Sequence, residues 1–299
     1  MKKVFLICAH QLTKSLAWSV EYLSSFEENI IIIHYDKKSD IDKVSYLIKK
    51  NVYFVDKRID VTWGAVSQIY ATIELLKYSL KFDYEYCFFI SGDDVPTMNN
   101  VDMNSFLLKN NGANFIHYQD ERNKYIDPYE RCIYRYPEIF FSRKNNFLAK
   151  LIKKSHKVVR GIFFKNKDFI KRIDEGIIPK LYKGTNWFTL TYESVQWLVQ
   201  TLDKQPAYLK SFEYSLCADE VFFHSIFKTK PVFNIYHDIS KVNDVLRYID
   251  WTTGPQYPRL LNVEDINAIK TKECFFCRKV DDRINESEFI KFKQLVISL

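Results

Sequence analysis

Apolar and polar residues alternate in blocks along the N-terminal third of the chain. Short apolar runs, typical of buried strands, lie at 4–8, 29–34, 52–55 and 86–90. Between them, residues 13–26, 43–50 and 65–80 carry apolar side chains at the spacing of amphipathic helices. This alternation with short links predicts an α/β fold, with a mostly parallel central sheet flanked by helices.

The rest of the chain is less regular. Residues 118–180 have weak periodicity, and the sequence leaves their structure open. Order returns with a glycine turn and an alternating strand at 184–191, a helix at 193–202 and a further helix that starts at Asp219. No internal repeat or low-complexity linker is present, so we expect one compact unit over 1–299.

Polar residues cluster where the predicted strands end. His10 follows the first strand, Asp36 the second and Arg58 the third, while Asp93 and Asp94 follow the fourth. In open parallel sheets, ligands bind beyond the carboxyl ends of the strands, and these side chains suit a ribose and a phosphate chain. A nucleotide pocket is therefore predicted. It is not a dinucleotide site, because the chain has no G-x-G-x-x-G motif and no P-loop.

Two adjacent carboxylates, Asp219 and Glu220, stand directly before the apolar run Val221, Phe222, Phe223. This spacing predicts the first turn of a helix with a buried apolar face. One interpretation is structural: Asp219 caps the helix and Glu220 complements its dipole. The other is catalytic, with one carboxylate acting as an acid or base.

The formal net charge is +7, and it is unevenly placed. Between 143 and 172, Asp168 is the single acidic residue among many lysines and arginines. Such a run is either a solvated face or a surface for anionic lipid or phosphorylated acceptors. Nucleic acid is a further alternative, but no helix-turn-helix, zinc-finger or RNP signature supports it.

Targeting signals and cysteine usage indicate the compartment. The apolar run after Met1-Lys2-Lys3 is too short for a secretory signal, and no stretch is long enough to span a membrane. The six cysteines lie mostly in apolar runs, which is typical of free thiols in a reducing compartment. The Cys274-x-x-Cys277 pair has no second pair or histidine cluster, so we expect it to be structural. A cytoplasmic protein is predicted.

Seven short motifs occur along the chain. They are His34-Tyr35-Asp36-Lys37-Lys38-Ser39, Trp63-Gly64-x-x-Ser67, Ser91-Gly92-x-Asp94-x-Pro96, Gly184-x-x-Trp187, Asp219-Glu220-x-Phe222-Phe223, Tyr248-x-Asp250-Trp251 and Phe276-x-Arg278-Lys279-x-Asp281. In this order they resemble the core-2/I-branching β-1,6-N-acetylglucosaminyltransferase family, which also contains the peptide O-xylosyltransferases. The resemblance implies a GT-A-like nucleotide-sugar-binding fold and inverting transfer from a UDP-sugar. It also implies no cofactor and no divalent metal.

The resemblance assigns the reacting groups. An inverting transfer needs a carboxylate to take the acceptor hydroxyl proton; by resemblance this is Glu220, with Asp219 as a capping and orienting neighbour. A metal-free enzyme must meet the leaving diphosphate with fixed cations. Lys279 matches the family's phosphate-binding lysine. Arg259 is the best match for its arginine partner, with Arg247 in reserve.

The other site residues are assigned by motif or by position at strand ends. Acceptor contacts are predicted for Trp251, Asp250, Trp187 and Asn186, and nucleotide contacts for His10, Asp36, Arg58 and Asp94. Residues 1–117 are then the nucleotide-binding half, and 118–299 the acceptor-side and C-terminal catalytic half. His34, on an apolar strand, is predicted to be a hydrogen-bonded core histidine.

The chain also departs from the family pattern. Thr62 stands where the family often has an acidic residue, and the vertebrate disulfide cysteines and membrane anchor have no counterpart. This indicates a bacterial-type relative. The resemblance itself implies N-acetylglucosamine or xylose as the donor sugar, since the transferases of both sugars share these motifs. The expected acceptor is a surface polysaccharide or a lipid-linked glycan, and the basic run would contact an anionic membrane.

Two alternatives remain open. Asp93 and Asp94 lie where metal-dependent GT-A enzymes hold Mn²⁺ or Mg²⁺, and carboxylate oxygens suit these ions. A non-catalytic carbohydrate- or nucleotide-binding protein would use the many aromatic residues for stacking. In that case Glu220 would be dispensable.

Overall fold

A computed structural model of the protein describes residues 1–142, 147–254 and 258–297. Its strands, in chain order, are β1 (Lys3–Ala9), β2 (Asn29–Tyr35), β3 (Val52–Phe54), β4 (Tyr86–Ser91), β5 (Val95–Pro96), β6 (Phe115–Tyr118), β7 (Gly184–Thr191), β8 (Arg247–Ile249) and β9 (Phe276–Arg278). The main sheet has the order β3-β2-β1-β4-β7-β6, and a smaller one has the order β5-β9-β8.

The first four strands of the main sheet are parallel, and the last two extend it in the antiparallel sense. Lys3 of β1 lies beside Asn29 of β2 and Tyr86 of β4. Strand β7 pairs antiparallel with both β4 and β6. The predicted α/β class, with a mostly parallel central sheet flanked by helices, is confirmed.

The helices cover both faces of this sheet. They are α1 (Lys14–Ser24), α2 (Ser67–Ser79), α3 (Asn100–Lys109), α4 (Pro128–Cys132), α5 (Phe147–Phe163), α6 (Lys167–Asp174), α7 (Tyr192–Lys204), α8 (Pro206–Ser211), α9 (Asp219–Phe227), α10 (Ile266–Lys270) and α11 (Glu286–Ile297). The Thr13 hydroxyl accepts a hydrogen bond from the Leu16 N–H at 3.0 Å and so caps α1. The α-helix predicted at 43–50 is wrong. A 3₁₀ helix, Ile41–Leu47, stands there and buries only Val44 and Leu47, whose three-residue spacing matches its pitch.

Alternate residues of β1 pack on opposite faces of the sheet. Val4 and Leu6 face a core shared with α2, α7 and α9, whereas Phe5 and Ile7 face α1 and α3. This explains why the strand is apolar at every position, since a sheet covered on both sides has no solvent face. The polar side chains of the predicted nucleotide pocket therefore lie beyond the carboxyl ends of strands β1 to β4 and not on the faces of the sheet.

The C-terminal portion folds across the first half through the small sheet. Strand β9 pairs antiparallel with β5 and parallel with β8. Cys274 and Cys277 are both buried here, and all six cysteines are unbonded thiols, as predicted. Strand β5 was missed from the sequence because two residues show no periodicity.

The segment left open by the sequence is mainly helical. Helices α4, α5 and α6 lie within it. Strand β6 spans the predicted boundary between the two halves and pairs with β7, and the division into halves stays a prediction. In the described part of the chain, no helix combines the length and the apolar character needed to cross a membrane.

Candidate active site

Helix α9 begins at the paired carboxylates. Ala218 is its N-cap residue and Asp219 its first residue, with no side-chain capping hydrogen bond. The capping role predicted for Asp219 is therefore wrong. The start of the helix is held instead by its backbone: the Cys217 N–H donates to the Gly64 carbonyl at 2.7 Å. Glu220 thus stands in the first turn of a helix whose following residues are almost all buried.

Glu220 is held by two cations from distant parts of the chain. The Lys183 Nζ lies 2.9 Å from its Oε2, and an Arg131 Nη2 lies 3.7 Å from the same oxygen. The side chain of Glu220 keeps 30% of its surface exposed. Because both cations approach Oε2, the carboxylate is fixed in position while part of it faces solvent.

Asp219, in contrast, is buried. Burial, together with the charge of Glu220, raises the pKa of Asp219 to about 7, against the opposing effect of Arg131 and Lys183. Its Oδ1 has no hydrogen-bond partner among the described residues. A buried carboxyl with one unpartnered oxygen, beside an accessible carboxylate, is a feature of functional sites rather than of stable cores.

The position of Lys183 depends on the glycine that follows it. A Cβ added at Gly184 would lie 1.9 Å from the His117 carbonyl oxygen and 2.3 Å from His224 Nε2. Burial lowers the pKa of His224 to about 3, so its ring is neutral and packs directly against this backbone. Only glycine fits, and this close packing brings β7 and α9 together beside Glu220.

A buried ion pair follows β4. Asp94 is fully buried and accepts hydrogen bonds from the Ser91 N–H at 2.6 Å and from the Ser91 hydroxyl. Arg247 at the start of β8 pairs with the other oxygen of Asp94. Burial lowers the pKa of Arg247 to about 10, against the raising effect of Asp94, so it remains charged at neutral pH. This pair ties the small sheet to the main one.

Trp187 contacts the arginine of that pair, Arg247, and a second arginine, Arg278. The guanidinium carbons of Arg247 and Arg278 each lie 4.5 Å from the centre of a Trp187 ring. The Lys279 Nζ lies 2.8 Å from Asp93 Oδ2, and an Arg278 Nη2 lies 3.8 Å from the same oxygen. Beyond the end of β4, Arg247 therefore pairs with Asp94, while Lys279 and Arg278 lie beside Asp93. Trp187 is buried among them and not in an open acceptor site.

Two other predicted acceptor residues, Asp250 and Trp251, and the predicted phosphate residue Arg259 lie on the loop after β8. Asn186, also predicted to contact the acceptor, lies beside Trp187 in β7 with its Oδ1 buried. The carboxylate of Asp250 accepts hydrogen bonds within its own turn, while the neighbouring Trp251 is 60% exposed. Arg259 pairs with Asp265 at 3.2 Å. The backbone of Leu261 bonds to Lys279, so the Arg259 segment runs beside that lysine. Residues 255–257, between Trp251 and Arg259, lie outside the described residues.

The predicted nucleotide residues converge at the ends of β1 and β2. Asp36 is buried and accepts from the Lys38 N–H at 2.9 Å, and Arg58 donates to the carbonyls of Lys37 and Ser39. His10 is exposed on the neighbouring loop. As predicted, His34 is a core histidine: its Nε2 accepts from the Ile59 N–H at 2.8 Å.

One further cluster has ligand chemistry that suits a metal. Atoms of His117, Asp120 and Asp244 lie within 4.8 Å of one another. Arg122 pairs with Asp120 at 2.5 Å and with Asp244 at 2.9 Å, so an internal cation already balances both carboxylates. We therefore assign the cluster to the packing of the sheet end.

Comparison with known proteins identifies the family. A profile described as "Core-2/I-Branching enzyme" matches residues 4–274. The chain belongs to the Core-2/I-branching enzyme family. Its predicted class, a glycosyltransferase, is confirmed at the level of this family.

Similar proteins include animal xylosyltransferases. The chain is 25% identical to xylosyltransferase 2 of Rattus norvegicus and 26% identical to that of Homo sapiens, in each case over 87% of this chain and 30% of the relative. It thus spans about 30% of the length of these relatives. A crystal structure of mouse xyloside xylosyltransferase 1, apo form, matches 96% of this chain and 99% of that one with 12% identity. Its TM-score of 0.35 is too low to bear on fold or function.

Three cations of the candidate site were missed as site residues in the sequence. Arg278 lies within a quoted motif and Lys183 directly precedes another, and that was the available signal. Arg131 comes from the segment without clear periodicity, so no local pattern distinguished it. Their proximity to Glu220 or Asp93 becomes visible only in the folded chain.

Proposed function

We propose that this protein is an inverting, metal-independent glycosyltransferase that moves a sugar from a UDP-sugar to a glycan hydroxyl. The observation that carries the proposal is Glu220, part-exposed at the start of α9 and positioned by Lys183 and Arg131. N-acetylglucosamine or xylose is the proposed sugar, in keeping with the family and with the names of the relatives. The acceptor is a bacterial surface polysaccharide or lipid-linked glycan.

In the proposed reaction, the acceptor oxygen attacks the anomeric carbon as its proton passes to Glu220. The bond from that carbon to the diphosphate oxygen breaks, and UDP leaves with the electron pair. Lys183 holds Oε2 of the carboxylate and leaves Oε1 to take the proton. Asp219 is buried, so its proposed role is to act on its neighbour Glu220 through its charge rather than to contact the sugar.

Charge at the end of β4 supports the metal-independent form of the proposal. Asp93 already pairs with Lys279 and lies near Arg278, and Asp94 is buried against Arg247. A divalent cation at these carboxylates would have to displace the bound cations. We propose instead that Lys279 and Arg278 bind the diphosphate, as fixed donors aimed at the charge that develops on leaving.

In this proposal several predicted roles change. Arg247 is buried, so it supports Trp187 and Asp94 rather than binding phosphate. Of the two tryptophans predicted to contact the acceptor, Trp251 is exposed and Trp187 is buried, so Trp251 is the proposed stacking surface for an acceptor sugar. Arg259 keeps its proposed role at the diphosphate, because its segment runs beside Lys279.

The test is UDP release from a panel of UDP-sugars in excess EDTA. We expect one donor to turn over without metal, and Glu220→Gln to lower turnover by roughly 10²- to 10⁴-fold, the usual contribution of a general base. Glu193→Gln is the matched control, because Glu193 is also the second residue of a helix, α7, and is exposed. It should leave turnover unchanged.

Three results would count against the proposal. UDP release only with Mn²⁺ would indicate that Asp93 and Asp94 hold a catalytic metal ion. Equal turnover by wild type and Glu220→Gln would show that Glu220 is not the general base. UDP binding without turnover, with every donor and acceptor tested, would favour a non-catalytic binding protein.

A further inference from the structure

Helix α5 contacts the rest of the protein along one side only. Ala149 and His156 are buried, and the His156 Nε2 donates to the Arg135 carbonyl at 3.1 Å. Arg160, one turn further along the same side, pairs with Glu130. These contacts anchor the helix and fix which side faces outward.

The outward side carries four large apolar side chains, with Lys154 and Ser155 in the middle of the row. Phe147, Leu151, Val158 and Ile162 recur at helical spacing along the length of α5, and we call them the apolar stripe. Their exposed fractions are 83%, 50%, 79% and 79%. Isolated exposed apolar residues are ordinary, but four large ones on one side of a helix over four turns indicate a binding surface.

Lysines border the apolar stripe. Lys150, Lys154 and Lys157 are all exposed and lie on the adjoining face of the helix. The sequence contains no Asp or Glu from 139 to 167, so no acidic side chain of this segment balances them. Apolar side chains flanked by lysines form the pattern of a helix that lies in a membrane interface.

We propose that α5 binds the surface of an anionic lipid bilayer, with the apolar stripe among the acyl chains and the lysines at the headgroups. A second copy of this chain fits less well, because a two-fold contact over the stripe would bring the two lysine rows together. This docking does not depend on the proposed reaction, because the side chains of α5 that carry it include none of the proposed catalytic or substrate-binding residues.

Vesicle co-sedimentation tests the docking directly, without any activity measurement. Wild type is mixed with vesicles of phosphatidylcholine alone or with phosphatidylserine added. We expect the double variant Val158→Glu, Ile162→Glu to lower partitioning onto anionic vesicles by roughly 10-fold or more. The matched control, Val101→Glu with Val232→Glu, alters valines that are 71% and 75% exposed elsewhere, and it should bind as wild type does.

A second set of variants keeps the apolar stripe intact and tests the charges. Replacing Lys150, Lys154 and Lys157 by glutamine should weaken binding to anionic vesicles roughly 100-fold at low salt, from about 1 kcal/mol for each lysine near the surface. The same change at three exposed lysines elsewhere, Lys43, Lys109 and Lys204, should have little effect. Circular dichroism confirms that each variant is folded.

The outcomes separate the possible occupants of the surface. Binding that needs phosphatidylserine and is lost in both sets of α5 variants supports the proposal. Equal binding to both vesicle types, or wild-type binding by the Val158, Ile162 variant, overturns it. A dimer in light scattering that only that variant dissociates would assign the stripe to a second copy and also overturn it.

Discussion

Replacing Asp219 by asparagine removes a buried carboxyl while keeping its shape. In the folded chain burial and the charge of Glu220 raise the pKa of Asp219 to about 7, from an ordinary value of 3.8. Between these two values the folded protein holds a proton that the unfolded chain has released. The free energy of unfolding therefore falls as the pH rises from about 4 to about 7, and this contribution is constant above that range.

The size of the effect follows from the interval between the two pKa values. Each pH unit corresponds to about 1.4 kcal/mol, so an interval of about three units gives an upper limit of roughly 4 kcal/mol. We expect Asp219→Asn to be more stable than wild type by up to this amount at pH 8. Near pH 4.5 the two proteins should differ little, because Asp219 is then protonated in the native state.

Urea denaturation followed by tryptophan fluorescence, from pH 4.5 to 8.5, measures this difference. Asp174→Asn serves as the control, because it makes the same substitution at an exposed aspartate, at the end of α6. The reasoning is refuted if the gap between wild type and Asp219→Asn is the same at pH 5 and pH 8. Asp219 would then not hold a proton at neutral pH in the native state.

Two further predictions concern packing around the site. Gly184→Ala should cost about 3 kcal/mol or more, because its Cβ would lie 1.9 Å from the His117 carbonyl oxygen, whereas Gly161→Ala on open helix surface should stabilise by about 0.5–1 kcal/mol. Equal melting temperatures for the two variants would contradict this. Arg247→Met should cost roughly 3–5 kcal/mol in urea denaturation, since it leaves the buried Asp94 unpaired, and adding Asp94→Asn should recover part of the loss. A cost below about 1 kcal/mol for Arg247→Met would show that the pair is not needed.

The local elements of this fold follow from the sequence because they depend on neighbouring residues. Strands β1, β2 and β4 are apolar at nearly every position, and that composition already indicates a sheet covered on both faces. Thr13 marks the start of α1 by its capping chemistry. Where the local signal was short or irregular, as at 43–50 and in β5, the prediction failed or was absent.

Part of the candidate site was also predictable. Glu220 and Lys279 were identified through motif resemblance, and the family assignment now rests on a match over residues 4–274. The roles of these two residues stay predictions until turnover is measured. Position at strand ends likewise brought His10, Asp36 and Arg58 to one edge, as parallel pairing requires.

What the sequence determined by itself is most strands and helices of the N-terminal third, the burial of those strands on both faces, and the family resemblance. The tertiary structure alone decided which charges meet: Lys183 and Arg131 at Glu220, and Arg247 and Arg278 at the ring of Trp187. It also showed that Asp219 does not cap α9 and that its Oδ1 is buried without a hydrogen-bond partner among the described residues. The reason is physical. Ion pairs and burial between residues far apart in the chain depend on how whole elements pack, and no local pattern records that packing.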